Sequence, residues 1–275
     1  MVPTGAAADP TDGSARADAG ERGAPLIAVW GPTGAPGRTT LAVALAGAFV
    51  ALGQPRTLLV DADLGRGTVA AHLGEEPGGA LSSACALRAP PGQPCAPGHL
   101  RRPRRAGPWL LAGLTLPEQW PEVAPARLGR LLDDLRAHYA PLVVDLGAAL
   151  PPDPRGEGHL VALRASTRIL AVCAASVVGV QDFLLQFRRL EEVLGEEGRG
   201  RVGVILNHVE PGDVPRYRRQ VEGPLNVPVV AHVPHDHASV RHALTTRRPL
   251  TQDSPRAPAS VALLRLATHI LSDGG

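Results

Sequence analysis

The sequence contains no lysine, because all 28 of its basic residues are arginine. This absence excludes any mechanism that needs a catalytic or phosphate-binding lysine from this chain. Aromatic residues make up only 3% of the sequence, so the core has to be built from aliphatic side chains. The arginines are nearly balanced by 26 acidic residues, and the formal net charge of +2 gives no global field that recruits nucleic acid or an anionic membrane.

Cysteine is also rare: the three cysteines, Cys85, Cys95 and Cys173, form no CxxC pair. An odd number of widely spaced cysteines argues against a disulfide framework and a structural zinc site, so we expect unpaired thiols in a reducing compartment. The N-terminal segment has no apolar signal-peptide core, and the longest apolar run, residues 41–52, is too short to span a bilayer. The sequence therefore predicts a cytoplasmic protein without a transmembrane segment.

The sequence has enough apolar material for a sizeable core, since 44% of its 275 residues are hydrophobic. Residues 1–24 are rich in Ala, Gly, Asp and Thr without periodicity, which predicts a disordered N-terminal tail. Residues 25–272 contain no internal repeat and no long linker. We therefore expect a single domain over residues 25–272.

Short aliphatic runs alternate with helical patterns along this domain. The predicted strands are residues 26–30, 57–60, 109–112, 142–144, 169–174, 202–206 and 227–233. The predicted helices are residues 39–52, 126–138, 178–194, 215–222, 238–246 and 257–271. This alternation predicts an α/β fold with a doubly wound, mostly parallel sheet. Between the second and third strands we expect a short helix at 80–88 and a Pro/Gly-rich surface loop.

A glycine-rich turn, GPTGAPGRTT, joins the first predicted strand to the first predicted helix. In this order of elements, free backbone N–H groups and the helix dipole face a bound anion. The Walker pattern G-x-x-x-x-G-K-[ST] is met at Gly37 and Thr39, whereas Arg38 stands at the lysine position and Pro32 at the first glycine. The turn predicts nucleotide binding, and a plain strand-to-helix turn is the alternative.

Aspartates follow two other predicted strands. The segment LLVDADLG places Asp61 and Asp63 at a strand end, and PLVVDLG places Asp145 likewise. Carboxylates near a phosphate loop hold Mg²⁺ through water or orient the attacking water. Each of these aspartates could instead be a helix N-cap.

The series GPTGAPGRTTLAVALA, VDADLGRGTVAAHLG, VVDLG, VILNHV and VPVVAHVPHDHASVRHAL resembles the ParA/MinD group of P-loop ATPases. Within that group it is most similar to the CpaE-like branch linked to pilus assembly, and the resemblance spans residues 26–250. It implies a P-loop NTPase fold, ATP and Mg²⁺ as cofactors, and a homodimer formed around the nucleotide.

The resemblance also implies a set of site residues. Asp63 would act on the attacking water, Arg38 on the phosphate charge, and Thr39 would ligate Mg²⁺ with support from Asp61 and Asp145. Asn207 would contact the adenine, and Pro234 and Asp236 would lie beside the base in the adjoining loop. The implied nucleotide-binding residues are Gly34, Ala35, Pro36, Gly37, Arg38, Thr39, Thr40, Asn207, Pro234 and Asp236.

Both lysines of the family's loop, K-G-G-x-G-K-T-T, are replaced here. Thr33 stands at the signature position and Arg38 at the Walker position. Arginine can neutralise phosphate, but its planar fork is not a point charge. We therefore expect a nucleotide-switch ATPase that hydrolyses ATP slowly and positions a larger assembly such as a pilus, septum or chromosome-partition machinery with a protein partner. A non-hydrolysing nucleotide-binding scaffold and a DNA-partitioning binder are the alternatives.

Three other features allow two interpretations each. The arginines of LRRPRRAG, residues 101–105, form a DNA-binding patch or a solvated loop. The last helix packs on the sheet or contacts a membrane peripherally. A cluster of histidines and one aspartate either binds metal or faces solvent beside the nucleotide pocket, and we favour solvent. The residues concerned are Arg101, Arg102, Arg104 and Arg105 in the loop, Val261, Leu264, Ala267 and Leu271 in the helix, and His232, His235, Asp236, His237 and His242 in the cluster.

Overall fold

The structure is a computed structural model that describes residues 25–34, 37–76, 78–86, 97–104 and 106–273. The predicted disordered tail at 1–24 and most of the predicted surface loop lie outside the described residues. The same is true of Ala35, Pro36, Cys95 and Arg105.

Eight strands in the described part of the chain form one sheet. They are β1 (Leu26–Trp30), β2 (Leu58–Ala62), β3 (Leu100–Arg101), β4 (Trp109–Leu111), β5 (Leu142–Leu146), β6 (Arg168–Ala174), β7 (Val202–Val209) and β8 (Val229–Pro234). Their order across the sheet is β3-β4-β2-β5-β1-β6-β7-β8, and every neighbouring pair is parallel except β3 with β4. The predicted mostly parallel α/β sheet is confirmed.

The helices flank this sheet in two groups. The α-helices are α1 (Arg38–Ala51), α2 (Val69–Leu73), α3 (Ala80–Ala86), α4 (Pro125–Arg136), α5 (Gly156–Ala165), α6 (Val177–Arg199), α7 (Val214–Leu225), α8 (His237–Thr246), α9 (Leu250–Asp253) and α10 (Pro258–Ser272). Short 3₁₀ turns lie at Pro97–His99, Pro117–Glu122 and Pro211–Asp213. Helix α1 packs against α9 and α10, whereas α4, α5, α6 and α7 pack in succession. Helix α6 is kinked at Gly195.

The core is aliphatic, as the composition requires. All residues of β1, β2 and β5 are buried, which is the pattern of strands covered by helices on both faces. Helix α1 is buried over most of its circumference, from Leu41 to Phe49, because it lies between the sheet and the α9–α10 pair. Four large aromatic side chains, Trp30, Phe49, Phe183 and Phe187, are fully buried in this core, whereas Trp109 and Trp120 are partly buried.

The sequence analysis missed three helices and one strand: α2, α5, α9 and the two-residue strand β3. Helix α5 reads GEGHLVALRA and follows a proline-rich segment, so its intrinsic helix propensity is low. Burial of His159, Leu160, Ala162 and Leu163 on one side of α5, together with its packing against α4, favours the helix instead.

Three arginines of the basic patch have intramolecular partners, although Arg104 itself is exposed. Arg101 pairs with Glu75 at 3.3 Å, and the Arg102 guanidinium lies 5.4 Å from the ring centroid of Trp109. Arg104 donates a hydrogen bond of 3.0 Å to a backbone carbonyl near the end of α8. The partners of Arg101 and Arg104 are distant in sequence, so the local pattern could not reveal them.

The C-terminal helix packs on the sheet through a different stripe from the predicted one. Ala267 belongs to both stripes, but the fully buried large side chains are Leu263, Leu266 and Ile270. The predicted Leu264 is only half buried. No helix within the described ranges has both the length and the apolar character needed to cross a bilayer.

We predict that Gly47→Ala destabilises the fold even though alanine favours helices. A β-carbon on Gly47 would lie 2.4 Å from Pro249 Cβ and 2.8 Å from Thr251 Oγ1, and the Thr251 hydroxyl already donates to the Ala44 carbonyl at 2.7 Å. Overpacking of this kind costs about 1–3 kcal/mol, whereas alanine gains at most about 1 kcal/mol in propensity. Urea unfolding should show a lower midpoint for the variant.

The control is Gly200→Ala at the end of α6, where φ is −61° and the added methyl would meet only a carbonyl oxygen at 3.8 Å. This variant should equal or slightly exceed the wild type in stability. Equal midpoints for Gly47→Ala and wild type would contradict the close packing of α1 on α9.

Candidate functional site

The turn that opens α1 has the geometry of an anion-binding turn. Gly34 and Gly37 have φ values of 78° and 96°, in the left-handed region where glycine is favoured. Gly37 is the N-cap, no side chain caps the helix, and its first turn contains no acidic residue. The N–H groups of that first turn therefore lack intrahelical partners and face outward with the positive end of the helix dipole.

Arg38, the first residue of α1, folds back onto this turn. Its Nη1 donates to the Gly31 carbonyl at 2.5 Å and to the Pro32 carbonyl at 3.2 Å. Burial raises the pKa of Asp145 at the end of β5, and the Arg38 charge partly offsets this rise. The guanidinium thus closes the start of the turn and faces the carboxylate cluster.

The carboxylate cluster comes from the register of two strands. Asp61 of β2 is paired directly with Asp145 of β5, and each is only 1% exposed. Burial raises the pKa of Asp61 to about 7. Burial and the Asp61 charge also raise the pKa of Asp145 well above its ordinary value, and the Thr39 side chain opposes this shift. Neither Asp145 oxygen has a hydrogen bond of normal geometry within the described residues.

The three aspartates differ in their backbone contacts. Asp61 accepts from the Val69 N–H at the start of α2 at 3.1 Å, and Asp63 accepts from Gly65 N–H at 2.9 Å and Arg66 N–H at 3.1 Å. Neither Asp61 nor Asp63 is a helix N-cap, however, because Thr68 holds that position in α2. Both instead organise the loop after β2, whereas Asp145 has no hydrogen bond within the described residues that gives its carboxylate a structural role.

The residues around Asp145 fit a hard divalent cation. Mg²⁺ prefers oxygen ligands and keeps several waters, so it needs few direct protein ligands. An uncompensated buried carboxylate beside Thr39 provides such an environment. Across the described ranges, no three His, Cys, Asp or Glu side chains are grouped so as to hold a metal by themselves.

A cavity of about 190 Å³ adjoins the turn that opens α1. It is bordered by Gly37 and by the predicted base-side residues Asn207, Pro234 and Asp236. Asn207 packs so closely on the turn that a β-carbon on Gly37 would lie 2.5 Å from its Nδ2. Asp236 caps α8 by accepting from the Ser239 N–H at 3.2 Å, and its Oδ2 is buried with no hydrogen bond in the described structure.

A larger cavity, of about 430 Å³, lies at the amino ends of the parallel strands, where β6 and β7 begin. Its lining includes Ile169, Val202 and Ile270 and contains none of the predicted site residues. The predicted residues that the structure describes therefore converge at the carboxyl ends of the parallel strands, as expected for ligand sites in α/β folds.

Only part of the predicted histidine cluster lies together in the structure. His235 and His237 border the 190 Å³ cavity, together with His208, which the sequence analysis missed. His232 is exposed on β8, and His242 lies 3.6 Å from Asp253. The signal that could have revealed His208 is its position directly after Asn207 at the end of a strand.

A second residue that was not predicted from the sequence, His159 of α5, connects the loop after β2 with the loop after β5. It is 1% exposed, its Nδ1 donates to the Ala149 carbonyl at 2.8 Å, and its Nε2 accepts from the Leu64 N–H at 3.5 Å. A β-carbon on Gly147 would lie 2.9 Å from the His159 ring and 2.5 Å from Asp63 Oδ1. Burial lowers the pKa of His159, so a neutral imidazole connects the loop after β2 with the loop after β5.

Comparisons with known proteins agree with this architecture. No protein-family model matches the chain. An uncharacterized ATP-binding protein of Methanocaldococcus jannaschii is 24% identical over 250 residues, which cover 89% of this chain and 87% of that protein. A ParA family ATPase from Chlorobium tepidum superposes with a TM-score of 0.74 at 17% identity, covering 89% of this chain and 99% of that one.

The septum site-determining protein MinD from Pyrococcus horikoshii, solved with Mg-ADP, superposes with a TM-score of 0.71. It is 19% identical, and the match covers 91% of this chain and 97% of that one. The chain therefore has the α/β fold of MinD and ParA-family P-loop ATPases.

We predict that Asp145→Asn stabilises the protein when metal and nucleotide are removed. Asp145 has a raised pKa in the folded state, so the wild type loses stability as the pH rises from about 4 through neutral. Asparagine does not titrate, so the variant's advantage should grow with pH to about 1–3 kcal/mol at pH 8 and shrink towards pH 4. Thermal unfolding in EDTA across this pH range provides the measurement.

The matched control is Asp133→Asn, which removes an exposed carboxylate on α4. It should leave the unfolding profile unchanged at every pH. A wild type and an Asp145→Asn variant with parallel pH profiles would show that the buried carboxylate is compensated in the free protein.

Proposed function

We propose that residues 25–272 form a nucleotide-binding domain that takes up ATP with Mg²⁺ and works as a slow ATPase switch of the MinD/ParA type. One observation carries the proposal: the uncapped start of α1, the uncompensated carboxylate of Asp145 and a base-sized cavity adjoin one another at one edge of the sheet. The ATP-binding relative and the MinD structure with Mg-ADP support the choice of ligand.

The phosphates would lie in the turn at residues 34–40, bound by its backbone N–H groups. Arg38 would exchange the Gly31 and Pro32 carbonyls for phosphate oxygens, because a charged acceptor forms stronger hydrogen bonds with a guanidinium than a neutral carbonyl does. Its backbone position at the start of α1 keeps the side chain within the turn.

Mg²⁺ would be held by the Thr39 hydroxyl, the nucleotide and water, with Asp145 and Asp61 bonded to that water. When bound, the ion supplies positive charge that offsets the charge of the phosphates. Asp63 would accept a hydrogen bond from the attacking water, and His159 would hold the Asp63 loop against the loop after β5. Thr33 is neutral and offers no cation to a partner subunit, so turnover would be slow.

The base would enter the 190 Å³ cavity beside Asn207 and Pro234. The buried Oδ2 of Asp236 can accept a hydrogen bond from the amino group of adenine, which would satisfy a polar atom that otherwise has none.

We further propose a homodimer that closes over the nucleotide edge, a protein partner and a cytoplasmic location. Val177 and Val178 follow β6 at this edge and are 65% and 68% exposed, which favours an interface there. The cargo would belong to a CpaE-like pilus, septum or partition system.

Two other functions compete with this one. A non-hydrolysing scaffold is favoured by the hydrogen bonds that engage Arg38 within its own turn. A DNA-partitioning role is disfavoured because Arg101, Arg102 and Arg104 contact other parts of the chain.

We predict that Mg-ATP and Mg-ADP raise the melting temperature, because a ligand bound only by the folded state stabilises it by about 2.7 kcal/mol at a hundredfold excess over Kd. Arg38→Ala should weaken ATP binding more than ADP binding, since the γ-phosphate adds charge. Thermal unfolding measures the first effect and calorimetric titration the second, with the exposed Arg256→Ala as a control that should bind like wild type. The absence of any shift at millimolar nucleotide would refute the proposal.

We predict that Asp63→Asn abolishes turnover while preserving nucleotide affinity and stability. Asparagine can still accept the hydrogen bonds from Gly65 and Arg66, so the loop after β2 keeps its shape and only the carboxylate charge is lost. Single-turnover phosphate release compares the variant with wild type at equal occupancy. Wild type that binds ATP without releasing phosphate would favour the scaffold, and unchanged release in the variant would remove Asp63 from the chemistry.

A further inference from the structure

The backbone at His208 is unusual for a residue with a side chain. Three non-glycine residues in the described ranges have positive φ: His208 at 58°, Asn226 at 50° and Arg247 at 55°. Asn226 and Arg247 are the C-caps of α7 and α8, where a left-handed residue ends a helix. His208 lies within β7 instead, so its conformation has no such explanation.

The strand pairing gives a reason for this conformation. The register between β7 and β8 shifts between Asn207 and Val209, which is a bulge centred on His208. A bulge redirects the side chain of the extra residue and is common beside functional sites. Here it turns the imidazole of His208 towards the base-side cavity, where a β-carbon on Gly37 would lie 3.8 Å from His208 Nε2.

Around His208 the cavity has a wall of imidazole rings. The ring centroids of His208 and His235 are 5.3 Å apart with an interplanar angle of 44°, and His237 follows at 6.5 Å from His235. Burial lowers the pKa of His208, and the nearby His235 lowers it further. A neutral imidazole presents a flat aromatic face, and such faces stack on nucleobases.

The geometry points to His208 and His235 as a stacking wall for the purine base of the bound nucleotide. This assignment rests on the proposed function, because it concerns the same cavity. The strained backbone at His208 then serves binding. It holds the imidazole ring beside the base, whereas a regular strand would direct this ring elsewhere. In a chain with few aromatic residues, histidine supplies the stacking surface.

The test compares ATP with inorganic tripolyphosphate, which carries the charge but no base. His208→Gly should weaken Mg-ATP binding about tenfold and leave tripolyphosphate binding unchanged. Its melting temperature without ligand should stay close to that of wild type, because glycine adopts positive φ without strain and this offsets its greater freedom in the unfolded chain. The matched control is His232→Ala, an exposed histidine of β8 outside the cavity, which should change neither affinity.

A ring-preserving pair tests the wall at a residue with ordinary backbone. His235→Ala should weaken ATP binding, and His235→Phe should restore it, because phenylalanine keeps the aromatic face without the imidazole nitrogens. Restoration by phenylalanine would also exclude a role for His235 as a hydrogen-bond donor or metal ligand.

The possible failures are distinguishable. Wild type that binds neither ATP nor ADP would overturn the proposed function, and this inference with it. Wild type that binds ATP, with His208→Gly binding it equally well, would overturn the stacking wall alone. Equal losses of ATP and tripolyphosphate would also overturn it, since the ring would then act on the phosphate turn.

Discussion

The parallel register between β2 and β5 sets Asp61 directly opposite Asp145, and the carboxylate cluster of the candidate site depends on that pairing. A shift of one residue in either strand would move the carboxylate of that strand to the other face of the sheet, away from the turn that opens α1. The register is held by strands that are buried on both faces, so it is fixed by the aliphatic core. The site therefore needs no stabilising contacts of its own to bring its charges together.

That arrangement buries two carboxyl groups at the end of the central strands, where burial raises their pKa and disfavours their negative charge. The hydrogen bonds of Asp61 and Asp63 are used to shape the loop after β2, and Asp145 has none of normal geometry among the described residues. Arg38 lowers the pKa of Asp145, but its own donors contact the Gly31 and Pro32 carbonyls. A cation near Thr39 would favour the ionised form of Asp145, because its positive charge offsets the desolvation that raises the carboxyl pKa.

Elements with strong local patterns were predictable, and elements set by tertiary contacts were not. The strand at 26–30 and the glycine turn after it could be read from a continuous apolar run ended by glycine. Helix α5, which carries His159, begins with glycines and forms because its buried side packs on its neighbours. The bulge at His208 arises from the pairing of β7 with β8, which no local pattern encodes. The roles given to the site residues by family resemblance stay predictions until they are tested.

The replacement of lysine by arginine at position 38 changes more than the shape of a cation. An ammonium group is a strongly hydrated point charge, whereas a guanidinium presents several donors in a rigid plane and can bind two carbonyls at once. Arg38 does this with Gly31 and Pro32, so the free turn is closed by its own side chain. A ligand can open it only by offering acceptors stronger than neutral carbonyls, which phosphate oxygens are. An arginine at this position would therefore make the turn selective for polyphosphate over ligands that offer only neutral acceptors.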